Sequence, residues 1–271
     1  MDFKKVSLFY YSPTGTGEKI ITEIGRGICP EPFRIISNSI TYPEFKDSVI
    51  DPEPEDLVVI IAPVYAGRVA QTALERLDQI KFSGNMAVLV AVYGNRHFDD
   101  ALIELREWAM ATGLKPFAFG AFIGEHSYSR PRDQIGHGRP DELDCFKAHE
   151  FGQKIAEKIH GLEAAKDLQI PEIPGTFPLP ERKVLPKIAP ETVHERCVKC
   201  GVCQSVCPTG AVYFARKQYH TNADLCTLCC ACVKKCKHDA RVIRSEHYKK
   251  VCECRSEERR VGKECVRLCR S

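Results

Sequence analysis

The sequence has no apolar run approaching the roughly 20 residues that a membrane helix needs, so no membrane span is expected. Its opening residues, Met1-Asp2-Phe3-Lys4-Lys5, carry no apolar stretch of the signal-peptide kind, and the protein reads as cytoplasmic. An excess of charge of one sign is also missing. The 39 Lys and Arg face 36 Asp and Glu, a formal charge of +3, too weak to imply a nucleic-acid partner. Cysteine is nearly absent from the first 196 residues, where only Cys29 and Cys145 occur. It is dense afterwards. Without a secretory signal, dense cysteine points to metal rather than to a disulfide framework. The 271 residues are 44% hydrophobic, enough for one large or two modest domains with true cores.

The first part alternates strand and helix patterns. Val6–Tyr10 is a short apolar run ending in Tyr11-Ser12-Pro13-Thr14-Gly15-Thr16-Gly17. Ile20, Ile21, Ile24 and Ile28 then follow at helical spacing. A second short strand is expected over 33–36. Residues 57–61, Leu-Val-Val-Ile-Ile, form a run of the kind buried on both faces of a parallel sheet, stopping at Ala62. Helix, strand (86–92), helix and strand (117–123) come next, and a last helix over 142–159 takes Asp141 as its N-cap. Five strands alternating with helices predict an α/β fold, an open parallel sheet covered on both sides. From Gly161 to Pro190 the composition changes to six prolines with no sustained period. This segment reads as a semi-rigid linker between a domain at 1–160 and another at 191–250.

Two repeats follow. Cys197-x2-Cys200-x2-Cys203-x3-Cys207-Pro208 is the spacing of cubane iron–sulfur ligation, and Cys226-x2-Cys229-x2-Cys232-x3-Cys236 repeats it. In two-cluster ferredoxins the fourth cysteine of each motif binds the other cluster. On that pattern Cys197, Cys200, Cys203 and Cys236 hold one [4Fe–4S] cluster, and Cys226, Cys229, Cys232 and Cys207 the second. Zinc also uses Cys-x2-Cys pairs, but the third cysteine at the same step fits zinc poorly. Lys237 stands where proline usually follows the last cysteine. Cys230 falls out of register and reads as a non-ligating thiol, while Cys29 and Cys145 read as small apolar fillers.

The Ser12-Pro13-Thr14-Gly15-Thr16-Gly17 loop lacks both the three-glycine dinucleotide fingerprint and the P-loop ending. It offers hydroxyls and backbone amides at a helix N-terminus, which suits a phosphate monoester. It resembles the phosphate loop of flavodoxins, with Ser12, Thr14, Gly15 and Thr16 matching and Gly17 standing where another threonine often occurs. The resemblance covers roughly residues 1–160. It implies FMN at the carboxyl ends of a five-stranded parallel sheet of order 2-1-3-4-5. It also implies that Pro63, Val64, Tyr65, Ala66 and Gly67 after the third strand, and Tyr93, Gly94, Asn95 and Arg96 after the fourth, flank the flavin ring. Arg68 or Arg96 would face negative charge on reduced flavin. Glu125 and His126, after the fifth strand, either stabilise their loop, relay a proton to flavin or contact a substrate.

A flavodoxin-like sheet followed by a small α+β two-cluster ferredoxin domain resembles the flavodoxin–ferredoxin fusion proteins of anaerobic bacteria and archaea. The resemblance implies an electron-transfer protein that relays low-potential electrons between two [4Fe–4S] clusters and FMN, with a redox protein partner and self-association as a further possibility. Two other readings stay open: an FMN-dependent reductase of a small substrate, and an iron–sulfur sensory module without flavin. In the last stretch, 251–271, the run from about Arg255 through Cys265 resembles a frame translation of sequencing-adapter DNA. It is read as an assembly artefact in place of the true C-terminus.

Overall fold

The continuous apolar runs become the strands of one sheet because residues alternating between its faces are buried on both sides. In the computed structural model, which describes residues 3–131, 134–161, 170–184 and 186–257, the strands are β1 (Val6–Tyr10), β2 (Ile35–Ser39), β3 (Leu57–Tyr65), β4 (Arg68–Val69), β5 (Met86–Gly94) and β6 (Lys115–Gly124). The long strands pair in parallel in the order β2-β1-β3-β5-β6, which is the expected 2-1-3-4-5. Along β3 the alternation separates two cores. Val58 and Ile60 join one, with Leu77, Leu102 and Leu105; Leu57, Val59 and Ile61 join the other, with Ile20, Ile24, Phe151 and Ile155. Helices α1 (Thr16–Ile28) and α4 (Glu142–His160) thus cover one face, and α2 (Gln71–Leu77) and α3 (Ala101–Ala111) the other. Asp141 caps α4 in a reciprocal capping box with Asp144.

The strands expected at 86–92 and 117–123 run slightly longer, and two other elements differ in kind. β2 begins at Ile35, because Pro32 starts a single helical turn and leaves Phe33 81% exposed. β3 does not stop at Ala62 but runs on to Tyr65. Ala66 and Gly67, at φ +52° and +82°, then turn the chain back into β4, an antiparallel addition that makes the sheet six-stranded. Positive φ at both central residues is what a tight hairpin requires.

After α4 the chain hugs the sheet domain. Thr176 N–H donates to Asp100 Oδ1 at 2.8 Å, and Arg182 donates to Val69 O at 3.0 Å and pairs with the buried Glu104 carboxylate at 2.7 Å. The proline-rich segment is therefore a strap along the α3 side. A small module follows, built on β7 (Glu191–Thr192) paired with β10 (Arg241–Val242) and on a hairpin of β8 (Val212–Ala215) and β9 (Gln218–Thr221). Two four-residue helices repeat within it, α5 (Val202–Ser205) after Gly201 at φ +82° and α6 (Ala231–Lys234) after Cys230 at φ +59°. Helix α7 (Glu246–Glu257) returns to the sheet domain, where Tyr248 and Cys252 pack on Ile135. Of the segment read as artefact, 258–271 lies outside the described residues.

Helices α1 and α4 touch backbone to backbone through two glycines. A Cβ on Gly152 would stand 2.2 Å from Ile24 O, and one on Gly27 2.1 Å from His149 O. Overpacking of this kind costs roughly 1–3 kcal/mol or more. Gly152→Ala is expected to lower the unfolding free energy in urea by at least about 2 kcal/mol. Gly161→Ala, whose Cβ would meet neighbours only at 3.6 Å, should stay within about 0.5 kcal/mol of the parent. Equal effects of the two would contradict the backbone contact.

Candidate functional site

The turn from β1 into α1 is shaped by its glycine. Gly15 sits at the N-cap of α1 at φ +85°, and nothing lies within 4 Å of where its Cβ would be. It brings no side chain to cap the helix, so of the first-turn N–H groups only that of Glu18 is taken, by Ser12. The loop is fixed from within. Ser12 Oγ accepts from Glu18 N–H at 3.0 Å, Ser12 N–H donates to Thr41 Oγ1 at 2.9 Å, and the Thr14 and Thr16 hydroxyls lie 3.2 Å apart. A hydroxylated loop with no cation in it, at a helix start whose N-cap residue is glycine, suits a phosphate monoester.

A cleft of about 200 Å³ opens from this loop across the carboxyl ends of the strands. It is lined by Ser12, Thr14, Thr16 and Gly17, by Pro63, Val64, Tyr65 and Ala66, and by Tyr93 and Gly94. Gly94 is required there, since a Cβ would fall 2.5 Å from the His126 ring. Gly15 shapes the loop from behind the lining. Gly67, Asn95 and Arg96 do not line the cleft: Gly67 and Arg96 border a second cavity of about 550 Å³ beside the strap. The same holds for Arg68. Its guanidinium is committed to Glu104 at 2.5 Å and to Pro180 O at 2.8 Å, and Arg96 pairs with Asp99. Neither arginine is placed over the cleft, because each meets a nearer carboxylate.

The cysteines gather in two groups. Cys197, Cys200, Cys203 and Cys236 line one small cavity. Cys207, Cys226, Cys229 and Cys232 line another, with Cys230 beside them. Each set of four thiols thus lines one cavity, a donor set that suits an iron–sulfur cluster. Cys230 occupies the left-handed position that Gly201 holds in the first repeat, and its thiol donates to Leu228 O at 3.4 Å. Burial pushes Cys229 up to about 12 and Cys232 to about 11. Iron uptake therefore has to displace protons. Arg241 opposes that burial. It is 2% exposed, donates to Pro190 O at 2.9 Å, and acts on Cys203, Cys226 and Cys232 together. Of the two fillers, Cys29 is buried, whereas Cys145 is partly exposed.

The two regions meet at the cleft. Thr227 and Leu228, inside the second cysteine motif, line it together with the phosphate loop, and His247 and Val251 of α7 join them. Tyr65 stands among Tyr11, Cys229 and Tyr128, where desolvation drives its phenol well above the usual range. Three pins hold the junction. Arg76 donates to Ile40 O at 2.7 Å and to Pro208 O, over the rings of Tyr11 and Phe45. Lys234 pairs with Glu125 at 2.9 Å, and the Tyr248 hydroxyl donates to Tyr128 O at 3.2 Å. Burial disfavours the Glu125 carboxylate, but Lys234, Ser129 and His137 outweigh it and hold the carboxyl below its usual range. Glu125 is thus part of the joint. His126 Nδ1 accepts from Tyr128 N–H at 3.0 Å, which orients its ring on the cleft wall.

Residues 190–213 match the family of 4Fe-4S binding domains. The chain is 39% identical over 59 residues to an uncharacterized ferredoxin of Methanocaldococcus jannaschii, covering 19% of this chain and 36% of that protein. It is 44% identical over 39 residues to a ferredoxin-like protein in the nif region of a Nostoc species, covering 14% of this chain and 34% of that one. The chain spans about a third of the length of these curated relatives. Over 58% of its length it is similar, at 18% identity and a TM-score of 0.40, to a flavodoxin of Fusobacterium nucleatum bound to flavin mononucleotide, 99% of which is covered. The strand order of the sheet and the match over the first cysteine motif decide the architecture. The chain joins a parallel α/β sheet of order 2-1-3-4-5 to a region that matches 4Fe-4S binding domains.

The residues that join the sheet domain to the cysteine-rich module do not stand out in the sequence. Thr227 and Leu228 fill the unspecified positions between two cysteines, and Arg76 sits in an amphipathic helix where an arginine reads as surface. A buried arginine with two backbone carbonyls is worth about 1.5–3 kcal/mol per charged hydrogen bond. Arg76→Met is expected to speed amide exchange across 226–230 by at least about tenfold, that is by 1.4 kcal/mol or more, with exchange in β5 unchanged. Unaltered exchange at 226–230 would show that Arg76 does not hold the joint.

Proposed function

We propose that this chain is a flavodoxin–ferredoxin fusion acting as an electron carrier, in which FMN occupies the cleft and two [4Fe–4S] clusters occupy the cysteine-lined cavities, each completed by the fourth cysteine of the other motif. On this reading the sheet domain spans about 1–160, the strap 161–190 and the cluster module 191–250. The observation that carries it is the presence of Thr227 and Leu228 in the wall of the cleft that the phosphate loop begins. Residues between two cluster ligands then stand against the flavin.

When bound, a [4Fe–4S] cluster exchanges one electron and FMN one or two, so their pairing turns single electrons into paired delivery. The chain's own residues do the rest. Ser12, Thr14, Thr16 and Gly17 hold the phosphate by hydroxyl and amide donors, and Tyr65 and Tyr93 supply ring contact. Leu228, His247 and Val251 keep water from that side of the cleft. Covering by these residues favours a carrier over a reductase of small substrates, because a substrate would have to share the cleft with the cluster module. Among the described residues no helix is long and apolar enough to cross a membrane, and a reducing compartment such as the cytoplasm suits the thiol ligands.

Anaerobically purified protein is expected to carry about eight iron atoms and one FMN per chain. Cys229→Ala should retain FMN, lose about half of the iron, and slow reduction of the flavin by dithionite-reduced partner. Protein lacking flavin but full of iron would instead favour a sensory module. Steady turnover of a small substrate with no protein acceptor would favour a reductase.

A further inference from the structure

The two cysteine sets differ in access to solvent. In the set beside the cleft, Cys207, Cys229 and Cys232 are buried and Cys226 is partly so. In the other, Cys200 is exposed and Cys197 and Cys236 are partly exposed. Around that outer cavity the surface is apolar and basic. Val198 is 58% and Val202 38% exposed, and both line the cavity with His238. Arg196, Lys199 and Lys237, all exposed, flank its cysteines in sequence. The acids nearby are Glu195 and Asp239, and Arg196 donates to the Asp239 carbonyl at 3.4 Å. The cationic character extends over the whole module, with eleven Lys and Arg against five Asp and Glu between Glu191 and Lys250. Up to residue 254 the rest of the chain carries 22 against 28. A chain that is close to neutral in sum is therefore polarised, positive at the module and negative at the sheet.

We propose that the face around Cys197, Cys200 and Lys237 docks an acidic one-electron redox protein, making the outer cysteine set the port of exchange and the Cys226 set the internal link to the cleft. This rests on the carrier reading above. Each encounter moves one electron, oxidising the reduced partner's centre and reducing the cluster at the outer set, with no bond made or broken and no proton transferred. The exposed valines supply a small desolvated centre, and the cations form a rim that orients an acidic surface and speeds encounter. The flavin side does not offer an equivalent port, because Leu228, His247 and Val251 stand over it.

The test uses the holoprotein, its iron and FMN measured first, and an acidic bacterial two-cluster ferredoxin as probe. Calorimetric titration should give an affinity that falls at least tenfold between low and physiological ionic strength. Arg196→Glu combined with Lys237→Glu should weaken binding at low salt by tenfold or more, with cofactor content and direct reduction by dithionite unchanged. Lys46→Glu, an exposed change on the sheet domain, should have little effect. An affinity that ignores salt in the unmodified protein, one that ignores the double charge reversal in a variant with full cofactor content, or equally tight binding of the basic protein cytochrome c would overturn the proposal. Absence of FMN or iron would overturn the carrier reading by itself, and is seen before any partner is added.

Discussion

One buried guanidinium holds the two halves of this chain in register. Arg76 leaves α2 and donates to the carbonyl of Ile40 in its own domain and to that of Pro208 at the end of the first cysteine motif. Its charge lies over the rings of Tyr11 and Phe45. Withdrawing either carbonyl would leave a buried charge short of a partner, a cost that burial of apolar surface alone would not impose. The contact therefore specifies where the module sits. Once Pro208 is fixed, the second motif falls over the cleft, and α7 follows through the pairing of Tyr248 with Tyr128.

The strap serves the same end from the opposite side. It does not float between domains but exchanges hydrogen bonds with the sheet through Asp100, Glu104 and Val69, which shortens the free chain before β7. A short tether raises the effective concentration of the module at its docking site, so the modest ion pair of Lys234 with Glu125 suffices as a third pin. The carboxylate of Glu104 explains why the loop cations stay away from the cleft. It pairs with Arg68 and Arg182 together, so neither guanidinium is free to reach the cleft.

Much of the fold was legible because it rests on short-range pattern. The β-branched run at 57–61 and the isoleucines of α1 announce burial without reference to any distant residue, and the strand order follows for a chain of this alternation. The cysteine spacing announces its chemistry in the same way. The extension of β3 to Tyr65 was not legible, since Pro63 argues against a strand and the return strand is two residues long. Arg241 was not legible either. Its role comes from Pro190, Thr192 and Thr221 meeting around it, three positions brought together only by the folded module. The cleft wall shows the limit best: the loop from Ser12 to Gly17 could be picked out from its residues, whereas Leu228 enters the same cleft from more than 200 positions away.

In the proposed carrier the cluster beside the flavin is the one held by Cys226, Cys229, Cys232 and Cys207. The most direct measurement is a crystal structure of the anaerobically purified holoprotein, with iron located by anomalous scattering. Two iron clusters are expected, with FMN phosphate at Thr14–Gly17 and the ring nearer to the Cys226 set than to the Cys197 set. An empty cleft, a flavin nearer to Cys197 and Cys200, or each motif closing its own cluster with its own fourth cysteine would contradict this arrangement.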